Sequence, residues 1–316
     1  MDWKTSAAVF PGQGSQVVGM GADFAQAYPI ARETFERAND ILAFDLSSIC
    51  FDGPSAVLDQ TAVTQPALYV CSMVVWRVLR ERLPLAQPAW MAGHSLGEYS
   101  ALTAAGALSF EDGLRLVHAR GRFMQQAGAD SPGAMAAILA LDIAEVESLC
   151  AEVSAETGAA VVLANDNCPG QAVVSGNIAA VDRLIERATD AGARRAVKLS
   201  VSVAAHSPLM ETALKGFRAV VQRTAFTPPS TLVYGNVQAR PLETTAAIRA
   251  ELDQQLTQSV RWTETMRAII ASGAETFIEI GSGKVLGGLM RRIDRSKRRI
   301  SLDSVEALEA FLESVA

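Results

Sequence analysis

The segment Ala89-Trp90-Met91-Ala92-Gly93, running straight into His94-Ser95-Leu96-Gly97, constrains this chain more than any other stretch. A short apolar run that stops at glycine reads as a buried strand, and the small residues from Tyr99 to Ala107 read as a helix. The same order opens the chain. Thr5 to Phe10 reads as a strand, Pro11-Gly12-Gln13-Gly14-Ser15 as a glycine-rich turn, and Met20 to Leu42 as helical. Further helices are predicted over Gln65 to Arg82, closed by Pro84 and Pro88, and over Phe110 to Ala127. Strand, turn and helix in repetition is the pattern of an α/β domain with a parallel sheet.

The rhythm changes at Gly128, and Ser131-Pro132-Gly133 is a linker signal. Strands are then predicted over Ala134 to Leu141, Ala160 to Ala164, Gln171 to Ser175 and Ala196 to Leu199, with helices over Ile143 to Glu156 and Ile178 to Ala191. That order is βαββαβ, the ferredoxin-like split unit. Strand signals resume at Leu232 to Gly235, Thr276 to Ile280 and Arg298 to Leu302. Helices fit Ala247 to Leu256, Trp262 to Ser272 and Val285 to Ile293. The expected architecture is therefore a large α/β domain from residues 1–127 and 200–316, with a small insert over 128–199. The cleft between them is the default ligand site.

Composition narrows the function classes. Apolar residues make up 49% of the 316 and charged residues 20%, enough for a sizeable core. The net charge of −6 argues against a nucleic-acid binder. Arg77 and Arg80 interrupt the best apolar stretch, Val70 to Leu79, so no membrane span is expected. Met1 to Thr5 lacks the pattern of a secretory signal. Cys50, Cys71, Cys150 and Cys168 are scattered, without metal-ligand or disulfide-framework spacing, so a cytoplasmic, reducing compartment is expected and no metal.

Gly93-His94-Ser95-Leu96-Gly97 matches G-x-S-x-G between a predicted strand and a predicted helix. Such a turn exposes Ser95 as a nucleophile, and the following helix offers backbone N–H groups to a developing oxyanion. A serine nucleophile requires a base, and only three histidines exist. His94 precedes Ser95 in the turn and should point away, bonding within the turn. His118 lies inside a predicted helix, a surface or interface position. His206, in Ala204-Ala205-His206-Ser207-Pro208, sits where the chain re-enters the large domain, and by elimination it is the base. Arg115, Arg120 and Arg122 share one helix, and spacing alone does not rank them.

Several ordered motifs together resemble a family. They are Phe10-Pro11-Gly12-Gln13-Gly14-Ser15-Gln16, Gly93-His94-Ser95-Leu96-Gly97-Glu98-Tyr99-Ser100, Ala205-His206-Ser207-Pro208-Leu209-Met210, Gln255-Leu256 with Val260-Arg261-Trp262, and Glu279-Ile280-Gly281 with Gly283-Lys284-Val285-Leu286. From about residue 7 to 303, the chain resembles the malonyl-CoA:acyl carrier protein transacylases, a pattern shared with acyltransferase domains of polyketide synthases. The resemblance implies an α/β-hydrolase-like large domain with a ferredoxin-like insert. It implies Ser95 as acyl-carrying nucleophile, His206 as base, and the backbone carbonyl of Gln255 in place of an acidic third member. It matches the N–H groups of Gln13 and Leu96 to the oxyanion hole, Arg120 to the group that binds the malonyl carboxylate, and Gln65 to a neighbouring position.

The resemblance implies malonyl-CoA and holo acyl carrier protein as partners, coenzyme A entering only as part of the substrate, and no further cofactor. A monomer is expected. The chain departs from the family pattern in three places: at Cys168, where serine is usual, at Ser259, where proline is common, and at Ala204-Ala205, smaller than the residues often found where acyl selectivity is tuned. Competing readings are a serine acyl hydrolase, a non-catalytic carrier-binding scaffold, and a transferase serving a polyketide pathway or a malonate decarboxylase. Carrier proteins are acidic, so docking on an acidic chain needs a local basic patch. The candidates are Arg194, Arg195 and Lys198, or Arg291, Arg292, Arg295, Lys297, Arg298 and Arg299.

Overall fold

The computed structural model describes residues 1–201 and 203–315. Five strands, β1 (Ser6–Phe10), β2 (Trp90–Gly93), β7 (Leu232–Tyr234), β8 (Thr276–Ile280) and β9 (Arg298–Leu302), form a sheet in the order β7-β2-β1-β8-β9. Every pairing in it is parallel. β1 lies at the centre, buried along its whole length, as a parallel strand covered on both faces must be. Its pleat divides the core. Ala8 and Phe10 join the cluster formed with the Thr61–Arg82 and Phe110–Asp130 helices, while Ala7 and Val9 join Trp262, Met266 and Leu289 on the opposite face.

The remaining strands, β3 (Gly133–Leu139), β4 (Val161–Cys168), β5 (Gln171–Asn177) and β6 (Arg195–Lys198), form a separate antiparallel sheet in the order β4-β5-β3-β6. With the Ile143–Thr157 and Ile178–Asp190 helices they follow the expected βαββαβ order. One face of this sheet packs Ala136, Ile138 and Val174 against those helices. The other turns Met135 and Val173 toward Leu199, Val201 and Ala205. An α/β protein with one parallel and one antiparallel sheet is thus observed.

Several boundaries differ from expectation. The helix predicted over Met20 to Leu42 is two helices, Ala22–Ala27 and Pro29–Leu42. Pro29 restricts the residue before it to extended backbone, and Tyr28 has φ −125° and ψ 124°. The Thr61–Arg82 helix begins four residues before the predicted Gln65 and runs through Pro66. By length and composition that helix is apolar enough to cross a membrane, a test that a buried core helix also meets, and 78% of its apolar window is buried inside the protein. β4 extends to Cys168 because its polar residues find partners on the neighbouring sheet's helices and loops: Asp166 N–H donates to Val260 O, and Thr263 Oγ1 donates to Asp166 Oδ1 at 2.6 Å.

Candidate active site

The bend after β2 puts Ser95 at the carboxyl end of the parallel sheet, the edge where open α/β sheets carry their sites. Ser95 has φ 51°, left-handed backbone for a residue with a side chain. The bend closes because its flanks lack side chains. A Cβ on Gly93 would lie 1.9 Å from the Gly97 carbonyl, and one on Gly97 would lie 2.1 Å from the Phe10 carbonyl oxygen. The Gly97–Ala104 helix starts immediately afterwards. The N–H groups of Leu96 and of Gln13, in the loop after β1, donate to no protein acceptor among the described residues, and both residues border the cavity.

His206 Nε2 lies 2.8 Å from Ser95 Oγ. His206 is also left-handed, at φ 58°, and is buried. Its Nδ1 faces only carbonyl oxygens, Gln255 O at 2.7 Å and Gln258 O at 3.1 Å. A nitrogen surrounded by acceptors carries the proton, so Nε2 presents its lone pair to Ser95. Burial, reinforced by the Arg120 cation, pushes the imidazole pKa down from 6.5 to about 3.

Arg120 is buried at 1% exposure and has only neutral hydrogen-bond partners. Nη1 donates to Gln65 Oε1 at 2.9 Å, and Nη2 donates to Ser95 Oγ and Gln255 Oε1, each at 3.1 Å. Its Nε has no partner, and no carboxylate forms an ion pair with it among the described residues. Burial lowers its pKa, but a guanidinium keeps its charge. Glu98 acts on it only through space, without an ion pair, and a desolvated cation left in that state is stabilised by an anionic ligand. Arg115 is exposed and paired with Asp112 at 3.3 Å, and Arg122 is exposed, so Arg120 alone of the three faces Ser95. Gln65 is fully buried and also approaches Met124 Sδ, while Gln255 Nε2 donates to Ser95 O at 3.0 Å.

Gln13, Ser95, Leu96, Arg120 and His206 border a cavity of about 190 Å³ between the two sheets. The antiparallel sheet and the segment after it contribute Met135, Val173, Leu199, Val201 and Ala205; the Val285–Ile293 helix adds Leu286 and Leu289. Of Ala204-Ala205, only Ala205 borders the cavity, and Ala204 is fully buried. His94 reaches beyond its own turn: Nε2 lies 2.8 Å from Asn167 Oδ1 on β4, and the ring lies against Trp262. His118 is half-buried beside Phe44, away from the cavity.

Residues 8–301 match the acyl transferase domain family. The chain belongs to that family. A malonyl CoA-acyl carrier protein transacylase of Haemophilus influenzae is 43% identical over 98% of this chain and 99% of its own. Among solved structures, the malonyl CoA-acyl carrier protein transacylase of Coxiella burnetii has a TM-score of 0.94 at 40% identity, covering 98% of this chain and 97% of that one. A malonyl-transacylase solved with a type II polyketide acyl carrier protein has a TM-score of 0.95 at 41% identity, covering 98% and 100%.

This acyl transferase brings together Ser95, His206, Gln255, Gln13, Leu96, Arg120 and Gln65, all the site residues expected from sequence. Of three further buried groups beside Ser95, Asn236 and Glu251 lay in no motif, and Glu98 lay in the Ser95 motif without an assigned role. Asn236 Oδ1 accepts from the Ser95 N–H at 2.7 Å, Glu98 accepts from the Asn236 N–H, and Glu251 accepts from the Val237 N–H. The available signal for Asn236 was its place in a Gly-Asn loop just after a strand of the parallel sheet. Among the described residues, no cluster of three His, Cys, Asp or Glu could hold a metal ion.

Proposed function

We propose that this protein moves the malonyl group of malonyl-CoA to the phosphopantetheine thiol of holo acyl carrier protein, through an ester on Ser95. The relatives named malonyl CoA-acyl carrier protein transacylase, similar over nearly the whole chain, support the activity. The observation that carries the acyl group is the buried Arg120 guanidinium, 3.1 Å from Ser95 Oγ and without a carboxylate partner. It selects an acyl chain that ends in a free carboxylate.

His206 Nε2 takes the Ser95 proton as Oγ attacks the thioester carbonyl carbon. The Gln255 carbonyl, accepting from Nδ1, steadies the imidazolium without adding a formal negative charge beside the malonate. The N–H groups of Gln13 and Leu96 hold the tetrahedral oxyanion. The carbon–sulfur bond then breaks, and coenzyme A leaves with the proton from His206. The carrier thiol repeats the sequence in reverse on the Ser95 ester, giving malonyl-carrier and free Ser95. The chemistry uses no resident cofactor.

The strand order of the antiparallel sheet supports a ferredoxin-like insert over residues 128–199, and the turn at Ser95 supports a hydrolase-like large domain over 1–127 and 200–316. Four unpaired, buried cysteines fit a reducing, cytoplasmic compartment, and we take the chain as a monomer. The name of the Haemophilus relative fits fatty-acid synthesis. The relative solved with a polyketide carrier supports a second setting for the same chemistry.

Intact-protein mass spectrometry tests the reading. Malonyl-CoA should leave a malonyl adduct on the Ser95 peptide, the adduct should pass to holo carrier protein, and Ser95→Ala should take none. An adduct retained in Ser95→Ala would point to another nucleophile. Loss to water before carrier is added would make the protein a hydrolase.

A further inference from the structure

One fully buried side chain outside the acyl-handling groups grips the backbone of the Ser95 turn. Asn236 follows β7; its Oδ1 accepts from the Ser95 N–H at 2.7 Å, and its Nδ2 donates to Gly93 O at 2.8 Å. Its own N–H donates to Glu98 Oε2 at 2.9 Å, and its carbonyl accepts from the Arg261 N–H at 2.9 Å.

We propose that Asn236 is the positioning residue of the Ser95 turn, locking the serine in its left-handed backbone and leaving the N–H groups of Gln13 and Leu96 as the oxyanion donors. The inference rests on the transfer reading above and deepens it. A non-glycine residue at φ 51° persists only where its surroundings hold it. A planar amide offers one acceptor and one donor at fixed separation, which matches the Ser95 N–H and the Gly93 carbonyl at once. Aspartate lacks the donor, and alanine lacks both. With its N–H engaged by Asn236, Ser95 has no backbone donor to offer the oxyanion, whereas Gln13 and Leu96 do.

The seat of Asn236 is itself buried and polar. Glu98 and Glu251 lie close enough to act on each other electrostatically; Glu98 accepts the Asn236 N–H and Glu251 accepts the Val237 N–H. Burial pushes both carboxyls up, for Glu98 with the neighbouring Glu251 adding to it, and Glu98 Oε1 has no hydrogen-bond partner among the described residues. The charged and titratable groups around Asn236 are therefore Glu98 from the Gly97–Ala104 helix, Glu251 from the Thr245–Leu252 helix and Arg261 before the Trp262–Ala271 helix. Arg120 and His206 lie across Ser95.

The test compares wild type, Asn236→Ala and Asn236→Asp in two assays. One is malonyl loading over a range of malonyl-CoA from pH 5 to 8. The other is phosphonylation of Ser95 by a fluorophosphonate, read by mass spectrometry. Asn236→Ala should load about a hundredfold more slowly at saturation, with half-saturation shifted less than about twofold, because the Arg120 pocket is untouched. Asn236→Asp is isosteric and keeps the test readable if the alanine variant fails to fold. Its protonated carboxyl can donate to Gly93 O, whereas the ionised form sets acceptor against acceptor. Its rate should therefore climb toward wild type as pH falls from 8 to 5, while wild type stays flat. Both variants should be phosphonylated more slowly in the same pattern. Wild-type rates in Asn236→Ala, or a flat pH profile in Asn236→Asp, would overturn the proposal. A wild type that is phosphonylated on Ser95 but takes no malonyl would sink the transfer reading, and the phosphonylation rates would still decide the role of Asn236.

Discussion

Three uncharged oxygens hold Arg120, those of Gln65, Ser95 and Gln255. A carboxylate about 4 Å from a cation gains about 4 kcal/mol at an effective dielectric of ~20, offset in part by its own desolvation. Removing that attraction should cost malonyl far more than acetyl, which has no charge to lose. Arg120→Ala is therefore expected to lower the malonyl-to-acetyl ratio of kcat/KM about a hundredfold. An unchanged ratio in steady-state assays would remove Arg120 from acyl recognition. The same cation acts on His206, whose pKa lies at about 3 because of burial first and Arg120 second. With a folded pKa below the ordinary 6.5, the native state binds fewer protons than the unfolded chain between those values, so its stability contribution is lost as pH falls through that window. Between pH 5 and 8 the imidazole is already neutral. Single-turnover loading of wild type is expected to be flat there, and an inflection near 6.5 would mean that the base is not held as the structure has it.

At the scale of elements, legibility followed how locally each feature is determined. Thr276–Ile280, Arg298–Leu302 and Val285–Ile293 appear with the bounds expected from sequence, because turn residues delimit each run. The Ser95 turn was legible for the same reason: glycine, serine and glycine occupy adjacent positions, and the steric need for Gly93 and Gly97 is local. The polar end of β4 was not legible. Asn165-Asp166-Asn167 has no strand periodicity and is strand only because Val260, Thr263 and His94 answer it from distant segments. Asn236 and Glu251 are hidden likewise. Nothing within ten residues of Asn236 specifies that its amide should meet Ser95, 141 positions away. Arg120 was visible as a helical arginine, and its rank above Arg115 and Arg122 came only with the resemblance. Burial supplies the physical reason: Arg115 and Arg122 lie on the solvent face of the same helix.

Across the whole molecule, the net charge of −6 opposes an acidic carrier, so docking depends on where the cations are free. Several are already committed. Lys198 pairs with Asp182, and Lys297 pairs with Glu275 at 2.8 Å. Arg292 donates to Gln171 Oε1, Pro169 O and Gly170 O, fastening the β4–β5 turn to the Val285–Ile293 helix. Charge reversal at Arg292 would therefore disturb the cavity wall as well as the surface. Arg291 and Arg295 are exposed and form no ion pair among the described residues. They also lie on, or just beyond, the helix that gives Leu286 and Leu289 to the cavity. Arg291→Glu combined with Arg295→Glu is expected to raise the apparent KM for holo carrier protein at low salt. Two exposed charges at an interface rim act chiefly on encounter, so the difference should shrink as the salt concentration approaches 1 M, where screening acts over ~3 Å. Malonyl loading from malonyl-CoA should be unchanged, because neither residue touches the Ser95 cavity. A KM for carrier that ignores the double reversal at low ionic strength would move the docking surface elsewhere, with Arg194 and Arg195, both exposed beside β6, as the next pair to reverse.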